Sequence, residues 1–538
     1  MTRCALNRVV ILASILSASA PLLSQFSERI EVRLHQLDVV VERRDGTPVT
    51  DLQKEDFEVR QDGVVQPITN FSLITESTAE DRIAPGAKQE QHVEQARPRP
   101  PRKFVFFVDE FPMHDATRAD ILRQAGELVE SMNGNDEAMV ITPAAREHIP
   151  LLFTADKKAV MSMLERVTKQ MMRKEDVRNL DANATGDEEF LLRGDCSQSL
   201  YACAKRRLGT LRSIAGALGQ VPGKKVLVLL AMRMTSVPGL NLQPSRPMAA
   251  DPRDPRGTAP IVPDFRDLQR LTADAARVAA ASNVLIYGLE SYEPGSSALS
   301  GMSVEVAAPT YKRASERGEG GAQDLLRTLA EATGTRAYSG TRDSGKMFEQ
   351  ISSDLSSYYS IAYREIDPNR RSTHRVEVRV RNRPDLVVRA RRSVSAKDEK
   401  QETTDRALSA LLTSNPPNPL SIGVRASPLI RRGRQWEMPL EIRVPINRLT
   451  FAHEAKGYRS RFIVLVAAVG THADFGSTQL EHEQELLIPE EKWAKSQQEH
   501  FTFNIAVRLK PGRYRIAVGV TDIASRESGF QAFRVTSP

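Results

Sequence analysis

The stretch that most restricts the fold is residues 103–113. After Lys103 comes an unbroken apolar run, Phe104 to Val108, then the acidic pair Asp109 and Glu110, then Phe111, Pro112 and Met113. His114, Asp115, Ala116 and Thr117 open a helix directly behind it. A strand without alternation is buried on both faces, and a sheet covered by helices on each side supplies that burial. The apolar positions Ile121, Leu122, Ala125, Leu128, Val129 and Met132 share one helical stripe, which predicts a helix over 117–132. Asp115 or Thr117 can cap it, and Asn133-Gly134 stops it.

The same alternation continues. Strands are expected at 138–141, 225–230, 283–288, 336–338 and 358–363, with helices near 155–172, 199–219, 265–281, 322–333 and 344–355. Strands alternating with helices and joined by right-handed crossovers give a doubly wound parallel sheet. On either side of it the period drops to two. Residues 29–75 read as strands with turns at Asp45-Gly46 and Asp62-Gly63, and 375–390 as a hairpin whose valines face one way and arginines the other. Residues 76–102 are polar and end in a proline-arginine run, the composition of a linker. Residues 394–417 read as a charged linker with a short helix, and 418–538 as about seven short strands, a β-sandwich of immunoglobulin or fibronectin-III type. The expected divisions are therefore 1–24, 29–75, 76–102, 103–364, 370–393, 394–417 and 418–538.

Neither group of strands at 30–74 and 375–390 is large enough to fold well alone. Through Val32, Leu34, Val39, Val41, Val376, Val378 and Val380 each offers an apolar face. The expectation is one small β-sandwich made from both, with the α/β domain inserted between them and the arginines of 375–391 outward.

At the amino end, Arg3 and Arg8 precede the run Val9 to Leu16 and the small residues Ala18, Ser19 and Ala20. That is the pattern of a secretory signal peptide over 1–24, so the chain is expected to be secreted or periplasmic, with no transmembrane anchor after cleavage. Cys4 would leave with it, and Cys196 and Cys203 would then form one local disulfide or remain two free thiols. The net charge of +7 carries no basic run interleaved with aromatics, which argues against nucleic acid as a partner.

The order of motifs resembles the bacterial exported VWFA-related family, best known from Acidobacteria and built on a von Willebrand factor A (VWA) domain. The carriers are Leu37–Val41 with Asp45-Gly46-Thr47-Pro48, Leu52 to Val59, Asp62 to Ile68, the opening at 104–110, Pro222 to Leu229, Thr333-Gly334-Thr335 and Tyr358 to Tyr363. The resemblance implies that the inserted α/β domain is VWA-like. It also implies where a metal site would lie: an Asp-x-Ser-x-Ser after the first strand, a threonine from a second loop and an aspartate after the central strand. Asp109 is in place, but Phe111 and Met113 stand at the serine positions. Ser197 and Ser199 offer hydroxyls without a clear threonine, and Met232 stands where the aspartate is expected. Magnesium needs a near-octahedral set of oxygens, so this degenerate set implies a metal-free rim and no cofactor. A rearranged site would have to use Asp109, Glu110, His114 and Asp115.

No Ser/His/Asp arrangement, Gly-x-Ser-x-Gly elbow or phosphate-cradling loop is present. The expected function is a non-catalytic binding or adhesion-type protein. Its ligand rim would hold Asp109, Glu110, His114, Ser197, Ser199 and Met232, and its partner would be a protein or a cell-envelope polymer. The long polar insertions 171–195, 234–263 and 291–320 are either part of that rim or disordered. A carboxylate-dependent envelope hydrolase and a purely structural envelope protein are the alternatives.

Overall fold

The computed structural model describes residues 34–75, 100–108, 115–143, 149–169, 200–231, 265–290, 325–339, 344–364, 373–395, 399–470 and 473–538. The chain opens with β1 (Leu34–Glu42), β2 (Phe57–Gln61), β3 (Val64–Gln66) and β4 (Ile68–Thr75). Asp62 and Gly63 both take left-handed backbone angles, φ 49° and 84°, which is why Asp-Gly makes the tight β2–β3 turn. Period two places Leu37, Val39 and Val41 in the core. Leu34, expected on that same face, has the opposite parity and is 60% exposed. Val32 lies outside the described residues.

The α/β region follows in order: β5 (Arg102–Val108), α1 (Asp115–Glu130), β6 (Glu137–Ile141), β7 (Leu151–Thr154), α2 (Lys157–Lys169), α3 (Leu200–Leu218) and β8 (Lys224–Ala231). Then come α4 (Phe265–Ala281), β9 (Val284–Glu290), helical residues 325–333 as α5, β10 (Ala337–Ser339) and α6 (Ser344–Ser356). The sheet order is β10-β9-β8-β5-β6-β7. Numbered by appearance this is the 3-2-1-4-5-6 order of doubly wound sheets, with the order reversing between β5 and β8. The unbroken apolar run of β5 now has its reason. Val105 and Phe107 face the core beneath α3 and α4, whereas Phe104, Phe106 and Val108 face the one beneath α1, α2 and α6.

Two expectations for this sheet need correction. It is not purely parallel, because β7 runs antiparallel to β6. The strand at 358–363 does not close it either. Helix α6 passes straight into β11 (Ser357–Arg364), which lies antiparallel between β1 and β4.

After β11 come β12 (Thr373–Val380), β13 (Val387–Arg389) and β14 (Ser393–Ser395). They complete two four-stranded sheets, β13-β1-β11-β4 and β14-β12-β2-β3. Each sheet takes strands from both ends of the inserted α/β region. The segments therefore interleave by hydrogen bonding (β1 with β13, β2 with β12) as well as by sharing a core. At its centre Tyr359 donates its hydroxyl to the Val49 carbonyl and accepts from the Leu52 amide, both at 3.0 Å. Its ring packs on Phe57 and Phe71. This β-module thus ties a loop to a strand more than three hundred positions away.

The segment expected as a linker is largely structural. Helix α7 (Glu399–Ala410) and the residues just after it bury Ala407, Leu408, Ala410, Leu411 and Leu412. Beyond it stand β15 (Gly423–Ala426), β16 (Ile430–Arg432), β17 (Gln435–Pro445), β18 (Ala452–Glu454), β19 (Gly457–Gly470) and β20 (Ala473–Ile488). The last three strands are β21 (His500–Leu509), β22 (Gly512–Asp522) and β23 (Ser528–Ser537). They form two antiparallel sheets, one around β17 and one around β19 and β22, packed on a common core. Strand β19 has a second buried face. Val464, Val466 and Ala468 point into the sandwich, while Leu465, Ala467 and Val469 join α7, α3 and α4 in the core of the α/β sheet.

Candidate binding edge

In a doubly wound sheet the crevice for ligands opens beyond the carboxyl ends of the strands where the order reverses. Here that point lies between β5 and β8, which pair in parallel up to Val108 and Leu230. Four described element ends mark the edge in sequence. Asp109 and Glu110 follow β5, His114 precedes α1, Ser197 and Ser199 precede α3, and Met232 follows β8. The six rim residues, Cys196 and the signal segment lie outside the described residues, as do the insertions 171–195, 234–263 and 291–320. Cys203 falls within α3, but its side chain also lies outside what is described. The topology thus brings the segments flanking Asp109 and Met232 to neighbouring strand ends.

At the opposite, amino-terminal edge, polar chemistry is concentrated and buried. Arg389 of β13 donates to Asp354 Oδ2 at 2.7 Å and to Asp354 Oδ1, and reaches Glu42 Oε2 at 3.1 Å. Asp354, in the last turn of α6, also accepts from the Tyr287 hydroxyl at 2.6 Å and from Gln350 Nε2 at 2.7 Å. Glu42 is held a second time by Arg336. Burial opposes the charge on Arg389, yet its Asp354 partner prevails and raises its pKa. Burial, together with the Asp354 charge, lifts the Tyr287 phenol well above its usual range, so it stays a donor. Arg391 donates to the carbonyls of Ala280 at 2.8 Å and Gln36 at 2.6 Å, bridging helix and module. Both carboxylates are thus held by cations and hydrogen-bond donors that belong to the fold itself.

This clasp corrects the expectation that the arginines of 375–391 point outward. Arg375, Arg379, Arg381 and Arg383 do, whereas Arg389 is buried and Arg391 half-buried. The sequence signal was faint: Arg389 directly follows Val387 and Val388 in a very short strand, where alternation is too brief to assign a face.

Two of the motifs also have structural reasons at this edge. In Thr333-Gly334-Thr335, Thr333 Oγ1 accepts from the Ile286 amide at 3.1 Å and Thr335 donates to the Ile286 carbonyl. Gly334 has φ +82°, and a Cβ there would sit 2.6 Å from the Ala390 carbonyl carbon. In Pro222-Gly223-Lys224, Gly223 has φ +98° and a Cβ would meet the Pro101 carbonyl oxygen at 2.3 Å. Both glycines are close-approach points rather than ligand loops.

Among the described residues no group of three or more His, Cys, Asp and Glu could hold a metal ion. No described helix is long and apolar enough to cross a membrane.

No family model matches the chain, and no curated protein does. Among solved structures, an aerotolerance-related membrane protein from Bacteroides fragilis is 12% identical, covering 47% of this chain and 98% of its own, at a TM-score of 0.22. The minor pilin PilB from Streptococcus sanguinis is 12% identical over 61% of this chain and 89% of its own, at 0.23. The human COPII-coat protein Sec24c is 10% identical over 55% of this chain and 44% of its own, also at 0.23. Superpositions this loose carry no argument about what the chain does.

Proposed function

We propose that this chain is an exported, non-catalytic binding protein whose VWA-like domain presents its carboxyl edge to a protein or envelope polymer. One observation carries the reading. The strand order reverses between β5 and β8, and the two segments leaving those strands have Phe111, Met113 and Met232 where oxygen ligands would be needed for a cation. The rim is then a recognition surface whose contacts come from side chains and loop backbone. The β-module at the amino edge and the C-terminal sandwich serve as rigid supports.

The test uses the full chain purified from its exported form. Saturable binding to isolated envelope should persist in EDTA and fall at least tenfold in the double variant Asp109→Ala, Met232→Ala. Calorimetry with Mg²⁺, Ca²⁺ and Mn²⁺ should show no micromolar heat. Micromolar cation binding lost in Asp109→Ala would overturn the metal-free rim. Turnover of peptidoglycan or polysaccharide fragments that disappears in Asp109→Asn would overturn the non-catalytic reading.

A further inference from the structure

Lys224 opens β8, and its ammonium nitrogen lies 3.4 Å from Asp38 Oδ2 of β1, with side chains only 5% and 9% exposed. The contact crosses from the α/β sheet to the β-module. Lys224 Nζ has no aligned hydrogen-bond acceptor among the described residues, and it stands 3.1 Å from the centre of the Tyr358 ring. Burying an ammonium is costly, and burial favours the neutral amine. Burial does hold the Lys224 pKa below the ordinary lysine value, against the pull of Asp38 and Asp354. An amine shut away from water beside a carboxyl group is a nucleophile facing an acyl donor.

We propose that Lys224 and Asp38 condense into an intramolecular amide that staples the β-module to the inserted α/β domain. The ammonium proton passes across the gap to the carboxylate, leaving a neutral amine and a neutral acid. The nitrogen lone pair attacks Asp38 Cγ, forming the Nζ–Cγ bond. The Cγ–OH bond then breaks, and the hydroxyl leaves as water with a second proton from the nitrogen. One water is released, nothing is oxidised or reduced, and no co-reactant is consumed. Two neighbours suit the step. Asp354 is close enough to act on the charge of Lys224, so it favours the positive nitrogen that forms on attack. The Arg391 guanidinium interacts with Asp38, so it favours the developing oxyanion. The dry site disfavours the reverse hydrolysis by keeping water out.

Mass spectrometry of the full, denatured chain with its amino terminus determined decides the matter. The expected intact mass is that of the sequence less one water, with a linked pair of proteolytic peptides carrying Lys224 and Asp38. Asp38→Asn should lose one ammonia instead of one water, a signature no other dehydration would give. Lys224→Arg, which keeps the cation but lacks the primary amine, should have the full sequence mass. A wild-type chain at full sequence mass with the two peptides separate would show an ordinary ion pair and overturn the proposal. So would a water loss that persists in Lys224→Arg. None of these readings depends on whether the carboxyl edge binds a partner.

Discussion

The two β-layers are joined to the α/β sheet by opposite chemistry. The β-module meets it through a buried clasp of Glu42, Asp354, Arg389 and Tyr287, with the more exposed Arg336 pairing Glu42 at its margin. The C-terminal sandwich meets it through α7 and the residues just after it, where Leu408 and Leu411 share one apolar core with Leu211 of α3 and Leu465 of β19. This apolar wedge also carries polar fittings, among them the buried Asp405. Arg515 donates to the carbonyls of Leu411 at 2.9 Å and Thr413 at 2.6 Å, and Gly216 of α3 lets Asp405 approach where a Cβ would stand 2.5 Å from its oxygen. An apolar joint stabilises through area and tolerates small shifts. A buried ionic joint gains little net free energy but is intolerant of a missing partner, so it fixes one geometry. The contrast matches position: the clasp sets the orientation of a domain that the chain leaves and re-enters, whereas the wedge attaches a domain strung along it.

The contrast can be broken most forcefully at Arg389. Arg389→Ala leaves Glu42 and Asp354 buried with a shared cation removed, and should cost about 3–5 kcal/mol in denaturant unfolding. A loss below about 1 kcal/mol would mean that the clasp is wet and does not define the joint. The matching cut in the wedge, Leu411→Ala, should cost roughly 2–5 kcal/mol through lost burial and a residual cavity. Its effect should be the same at every pH at which the chain folds.

Acid probes a buried ion pair inside the α/β region itself, against the same apolar wedge. Asp136 is buried at the amino edge, where burial raises its pKa but Arg102 and the Asn133 and Arg102 amides outweigh that and hold it below the usual carboxylate range. A depressed carboxylate adds stability that is fully present above its unfolded pKa of about 4 and is lost as pH falls through the lower folded value. Unfolding midpoints should therefore drop in that window for the parent chain and drop less for Asp136→Asn, while Leu411→Ala stays parallel to the parent. The smallest effect belongs to an outward arginine. Arg379 pairs with Glu377 in an exposed setting, so Arg379→Ala should change stability by no more than about 0.5 kcal/mol. A larger loss would place that face against something the isolated chain does not show.

Much of this architecture is legible in the sequence. The helices α1, α3, α4 and α6 and the strands of the α/β sheet follow from apolar runs and helical stripes, because period and run length are local properties that survive packing. Strand β7 was not foreseen, since four residues after a proline carry too short a pattern. The candidate rim was named from motif positions alone. The described structure adds only that the segments flanking Asp109 and Met232 leave adjacent strand ends.

What only the tertiary structure decided is partnership. Tyr358 to Tyr363 look the same in sequence whether they end a parallel sheet or pair with β1 and β4, because both environments bury the strand. Alternation across Val387, Val388 and Arg389 cannot say that the arginine turns inward, since its reason to do so is Asp354 on a distant helix. The segment at 394–417 reads as a charged linker with a short helix until β19 and α3 close over its leucines. Sequence fixes which side chains share a face. Which faces meet depends on long-range contacts whose free energy no local pattern encodes.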